Sequence, residues 1–129
     1  MTMIDHLSVG VPNIDQATGF YDSVLKALGV DRLASSDGFA AYGVDAVQFL
    51  VMTPENGEPF TNGNGTHICF AASSPEAVTA FHQAALEKGG VCAGAPGPRP
   101  AYPAPNVFAA FVRDPFGNKL EAIHNGFSA

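Results

Sequence analysis

The chain has 129 residues, 47% of them hydrophobic, which is enough for one compact domain with a core and too little for two ordinary ones. Its net charge is −6 and its six Lys and Arg are scattered singly, so no basic stripe exists to neutralise phosphates, which excludes nucleic acid and an anionic membrane surface as partners. No stretch approaches the ~20 apolar residues of a membrane span, and MTMIDHLSVG lacks the basic segment and apolar run of a secretory signal, so the chain reads as cytoplasmic.

In chain order, IDHLSVGV is a short strand rich in apolar and β-branched residues. A helix comes next: Asn13 is its N-cap, Gln16 falls at the capping-box position, Phe20, Val24 and Leu28 line one face, and Gly29 stops it. Strands are expected around RLASSD, FAAYG and VQFLVM. The polar, turn-rich PENGEPFTNGNG reverses the backbone and lacks the Gly-Lys-Ser/Thr of a phosphate loop. THICFAA is a second opening strand. The next helix has Ser73 or Ser74 as cap, Pro75 and Glu76 in the first turn, Val78, Phe81 and Ala85 facing inward, and Gly89-Gly90 as its stop. GAPGPRPAYPAPN, with five prolines, is expected to be a loop able to close over a cleft. Strands around VFAAFVRD and KLEAIH end the chain.

An offset of 61 lays His6 on His67, Asp15 on Glu76, Thr18 on Thr79, Phe20 on Phe81, Leu25 on Leu86, Gly29 on Gly90 and Val30 on Val91. That is the trace of a duplicated unit. The fold class is therefore α+β, a single domain over 1–129 made of two tandem βαβββ modules, the first about 1–54 and the second about 65–126, with a linker at 55–64. A unit of this size buries too little alone, so the two sheets are expected to meet and enclose a shared core or cavity. Cys69 and Cys92 are expected as free thiols in the core.

Glu121 lies in the last strand of the second unit, between Leu120 and Ala122, where an unpartnered carboxylate costs several kcal/mol. His6 and His67 hold matching places in the two opening strands. Two imidazoles and a carboxylate with open positions suit Zn, Ni, Mn, Co or Fe(II), which would make Glu121 tolerable. Taken singly, each has an ordinary reading as well: a hydrogen-bonded strand histidine, or a glutamate paired with Lys119 or Arg113. Gln48 is the nearest match to Glu121 in the first unit, as a fourth ligand or a substrate contact. His124 alternates to the opposite strand face from Glu121, and His82 sits within a helix, so both read as structural or solvated. Arg99 and Tyr102 could hold a substrate carboxylate and stack on a flat group, or be a surface charge and loop packing.

MIDHLSVGV, GNGTHICF, FYDSVLKALG against FHQAALEKGG, and above all the closing FAAFVRDPFGNKLEAI give the chain a family likeness over nearly its whole length. It resembles the vicinal oxygen chelate superfamily of glyoxalases, bleomycin-resistance proteins and ring-cleaving dioxygenases. The resemblance implies two βαβββ modules curling into a cavity, with His6, His67 and Glu121 as metal ligands, Glu121 also as the proton-moving group, and Gln48 at or beside the fourth position. It also implies a homodimer and a metal-dependent lyase or isomerase acting on a small oxygen-chelating substrate through an enediolate-like anion. Glutathione is a candidate cosubstrate. The alternatives it carries are a metal-free antibiotic-binding protein and a ring-cleaving dioxygenase.

Overall fold

The computed structural model describes residues 3–128. The first module runs β1 (Leu7–Gly10), α1 (Ile14–Lys26), β2 (Asp31–Ser35), β3 (Phe39–Gly43) and β4 (Val47–Met52). The second repeats the order as β5 (His67–Ala71), α2 (Pro75–Glu87), β6 (Val91–Pro98), β7 (Phe108–Arg113) and β8 (Lys119–His124). Each module forms a four-stranded sheet, ordered β1-β4-β3-β2 and β5-β8-β7-β6, in which the opening strand runs parallel to the last and the other pairings are antiparallel. The chain thus has the expected two βαβββ modules. Among the described residues no helix is long and apolar enough to cross a membrane.

Local signals set the helices. Asn13 Oδ1 accepts from Gln16 N–H at 2.9 Å, and Ser74 Oγ accepts from Ala77 N–H at 3.1 Å, each satisfying a donor that the first turn leaves free. At the end of α1, Gly29 adopts φ 77°, and the amides of Gly29 and Val30 return to Lys26 O and Leu25 O. The helix stops before Leu28, which packs against the core from the connecting turn. Asn13→Ala is expected to cost about 1 kcal/mol, the usual worth of an N-cap; chemical denaturation of both proteins measures it.

The modules share a core, but they join through their helices rather than by one sheet facing the other. The reason is amphipathicity: Phe20, Tyr21 and Val24 of α1 and Val78, Phe81 and Ala85 of α2 are buried, and both helices need cover. α1 packs on α2, and Phe49 of β4 meets Phe70 of β5 edge-on at 5.1 Å between centroids. One continuous cluster results, containing Val51 and Tyr42 from the first sheet and Val112, Leu120 and Ala122 from the second. The opposite face of each sheet is left uncovered over much of its extent: Ser8, Gln48 and Met52 in the first module, and His67, Cys69 and Ala71 in the second, are exposed.

The DPFGN turn ties the second module to the first. Asp114, 3% exposed, takes the amides of Phe116 and Asn118 on Oδ1, and Asn118 Nδ2–H and the Tyr21 hydroxyl of α1 on Oδ2. Burial first, and then the Asp114 carboxylate, hold the Tyr21 proton on well above its ordinary pKa. Asn118 also donates to Gly10 O of β1 at 2.9 Å. The linker closes over this turn, with Asn62 donating to Phe116 O and Phe60 against Phe116.

Candidate functional site

β8 is an inner strand of its sheet, flanked by β5 and β7, so a side chain on its open face has neighbours on both sides. Glu121 pairs with Cys69 on one side and Phe111 on the other, and it is only 2% exposed. No cation is needed to explain this burial. His67 Nε2 lies 3.1 Å from Oε1, and the Tyr102 hydroxyl donates to Oε2 at 2.7 Å, so each carboxylate oxygen has a polar partner. The two alternative partners lie elsewhere: Arg113 donates to Gly117 O, and the Lys119 ammonium sits over the Phe111 ring.

His67 and Glu121 border a cavity of about 400 Å³, together with Cys69, Ala71, Ile123, Tyr102, Pro103 and Phe127. Its walls are mostly apolar and its polar groups converge at one end, as in a small-molecule site. Tyr102 stacks on Phe127 at 5.7 Å and 18°. Burial, and then its bond to Glu121, push the tyrosine up to about 12, so it stays a donor at neutral pH.

The two cysteines are free, as expected, but neither is in the core. For Cys69 strand alternation is the reason: His67, Cys69 and Ala71 share the open face of β5, while Ile68 and Phe70 face the helices; Cys92 lies on β6, the edge strand of its sheet. Although the residue as a whole is exposed, desolvation of its thiol beside Glu121, and then the Glu121 charge, push the Cys69 pKa up, so it is no ready nucleophile. Cys69 could have been found from its position two residues after His67. Phe127 carried no such signal.

The proline-rich stretch also differs from expectation in its first half. Residues up to Pro98 extend β6 along β7, with bulges that absorb the irregular backbone, and loop begins only at Arg99. That loop carries Tyr102 over Glu121. Arg99 lies at its start, donating to Ala95 O at 2.7 Å. His124 contacts Ala72 O at 3.2 Å on the far face, and His82 Nε2 is buried without a hydrogen-bond partner. Neither reaches Glu121.

His6 precedes β1, and Asp5 is 2.7 Å from its Nδ1. Continuing the β1–β4 register, in which Leu7 pairs with Phe49 and Ser8 with Leu50, sets His6 opposite Gln48 on the first sheet. The same register corrects one equivalence. His67 pairs with Lys119 and Cys69 with Glu121, so Gln48 corresponds to Lys119, and the residue at the place of Glu121 is Leu50. Unequal turns between the third and fourth strands of the modules displaced the sequence match. An aliphatic side chain therefore stands where a fourth ligand would be sought. Among the described residues, no three His, Cys, Asp or Glu side chains gather at metal-binding range within one chain.

Residues 3–122 match the model of the Glyoxalase/Bleomycin resistance protein/Dioxygenase superfamily. The fold is similar to a glyoxalase/bleomycin resistance protein from Albidiferax ferrireducens T118, with 38% identity, a TM-score of 0.86, and 95% of this chain and 98% of that one covered. It is also similar to a glyoxalase-related enzyme from Fulvimarina pelagi, at 14% identity and TM-score 0.74, covering 97% and 89%. A lactoylglutathione lyase from Agrobacterium tumefaciens aligns at 18% identity and TM-score 0.66, covering 96% and 94%. These two share the fold; their identity is too low to carry an activity across. Among curated proteins no significant match is found. The duplicated βαβββ architecture, the closing DPFGNKLE turn and strand, and the family match over nearly the whole chain lead to one conclusion: the protein belongs to the Glyoxalase/Bleomycin resistance protein/Dioxygenase superfamily.

Proposed function

We propose that the protein is a metal-dependent lyase or isomerase that moves a proton on a small substrate bearing two adjacent oxygens. The observation that carries this reading is Glu121, a 2% exposed carboxylate at the edge of an apolar cavity, with one oxygen toward His67 and the other under Tyr102. His67 and Glu121 are donors of the kind a divalent ion takes, and two donors leave it short of a site. His6 is the natural third. It is solvent-exposed on the first module, whose open sheet face has the same relation to its helix as the His67 face has to α2. In this reading, a two-fold dimer sets the first module of one protomer against the second module of its partner, and His6 joins the partner's His67 and the partner's Glu121.

A divalent ion there would supply Lewis-acid polarisation of the substrate oxygens. Glu121 does the proton work. Its Oε2 accepts the proton from the substrate carbon and returns it to the neighbouring carbon, while Tyr102, protonated throughout, keeps that oxygen aimed at the cavity. Ala71, Ile123 and Pro103 form an apolar wall that limits the water able to intercept the anion. With Leu50 at the position equivalent to Glu121, one carboxylate serves both transfers.

Leu50 also favours a second reading. Two histidines and one carboxylate, without a fourth protein ligand, form the facial triad of non-haem Fe(II) oxygenases, which ring-cleaving dioxygenases use. Turnover separates the readings. Metal-reconstituted protein is given a hemithioacetal, with isomerisation followed by absorbance, and a catechol, with oxygen uptake followed by electrode. Isomerisation that falls ~10²- to 10⁴-fold in Glu121→Gln supports the first. Oxygen uptake with iron supports the second, and neither activity with any divalent ion contradicts both.

A further inference from the structure

Arg99 and Lys119 both lie against one ring. The Arg99 guanidinium carbon is 5.7 Å and the Lys119 nitrogen 5.1 Å from the centre of Phe111, whose ring is 6.0 Å from that of His67. Lys119 pairs with His67 in register, so it lies on the face that carries the site. Both cations are half-buried. Neither has a carboxylate partner among the described residues, although the chain carries twelve Asp and Glu, and Lys26 and Arg32 are paired with Asp31 and Asp22.

Arg99 is also held in place. Its Nη2 donates to Ala95 O at 2.7 Å, and Gly94 makes room beneath it: a Cβ there would come within 3.3 Å of Nη2 and 3.0 Å of the Phe111 ring. A guanidinium fixed by one N–H and a ring face keeps its other donors free for an oxyanion. Among the described residues, no Lys or Arg lines the cavity beside Glu121, where Ala71, Ile123 and Phe127 make an apolar wall. The second module's face therefore has a cationic end, the His67–Glu121 centre, and an apolar end.

We propose that Arg99 and Lys119 form an anion subsite beside His67, so that the substrate is a small amphipathic anion whose carboxylate or phosphate group is separate from its chelating oxygen pair. This rests on the proposed function, in which the oxygen pair binds at His67 and Glu121.

The test is calorimetric binding to the full-length, zinc-reconstituted protein. The probes are 4-methylcatechol, 3,4-dihydroxyphenylacetate and (3,4-dihydroxybenzyl)phosphonate, which share the oxygen pair and differ in the remote group. At least one anionic probe is expected to bind about tenfold or more tightly than the neutral one, the worth of a charged hydrogen bond, and to weaken with added salt. The tighter anion identifies the group. In Arg99→Gln/Lys119→Gln the preference is expected to vanish, while affinity for 4-methylcatechol, which also checks that the variant is folded, stays within about twofold. Equal wild-type affinities for all three probes would overturn the subsite and leave the centre standing. Binding of none would overturn the centre and the subsite together.

Discussion

Glu121→Ala is expected to lower divalent-metal affinity by more than ~100-fold, beyond the 10–100-fold typical of losing a group that only supports a ligand. It is expected to leave the fold intact. Glu121 sits on the open face of β8, away from the helix-packed core that holds the modules together, and its two partners, His67 and Tyr102, come from an exposed strand edge and a loop. Both can turn to water when the carboxylate is gone. Tyr102→Phe, which removes one hydrogen bond to Oε2 and no donor to a metal, is expected to lower affinity by no more than about tenfold, the low end of that supporting range. Elemental analysis and metal titration of protein purified without an affinity tag measure both. A Glu121→Ala protein that keeps wild-type metal content would leave the buried carboxylate explained by hydrogen bonding alone.

Asp114→Ala is expected to destabilise the protein by about 3 kcal/mol or more, because it leaves several buried donors without their acceptor. Tyr21 of the first helix, the amides of Phe116 and Asn118, and the Asn118 side chain all meet this carboxylate. Asn118 in turn holds Gly10 of the first strand, so the loss spreads to the joint between modules. For a domain of this size the midpoint should fall by about 10 °C. Tyr21→Phe takes away one donor and leaves the others, so about 1–2 kcal/mol is expected. Thermal unfolding of the two variants decides the order; equal effects would mean that the turn's own amides contribute little.

The duplication was the most legible feature of the sequence. The two helices, Ile14–Lys26 and Pro75–Glu87, are displaced by the 61 residues that align His6 with His67. Caps and apolar spacing are local, so Asn13, Ser74, Phe20 and Phe81 could be read without knowing the tertiary structure. How the modules join could not be read that way. An amphipathic helix shows which face needs cover, not what covers it, and here each helix is covered partly by its own sheet and partly by the other helix. The match of Gln48 to Glu121 failed for a related reason: register depends on turn length and bulges, and a small error in alignment places Gln48 where the sheet places Leu50.

Within the site, the nearness of His67 and Glu121 followed from an opening strand pairing with a closing one, a long-range contact that the repeat made visible. Tyr102 was visible as a residue type in an irregular loop, but its bond to Glu121 depends on how β6 delivers the loop. Phe127 reaches Tyr102 through tertiary geometry alone. That Arg99 and Lys119 have no carboxylate partner among the described residues is likewise a property of the folded chain.

His6 of one protomer is expected to complete the centre that His67 and Glu121 of the other begin, and mixing two metal-deficient variants tests this. His6→Ala and Glu121→Ala proteins, each expected to retain little metal, are unfolded together, refolded, and assayed for bound metal per dimer. If the site spans two protomers, a mixed dimer contains one intact set of His6, His67 and Glu121, and metal binding returns in the mixture up to about one ion per mixed dimer. If the three residues meet within one chain, every chain in the mixture lacks one of them, and no metal binding returns.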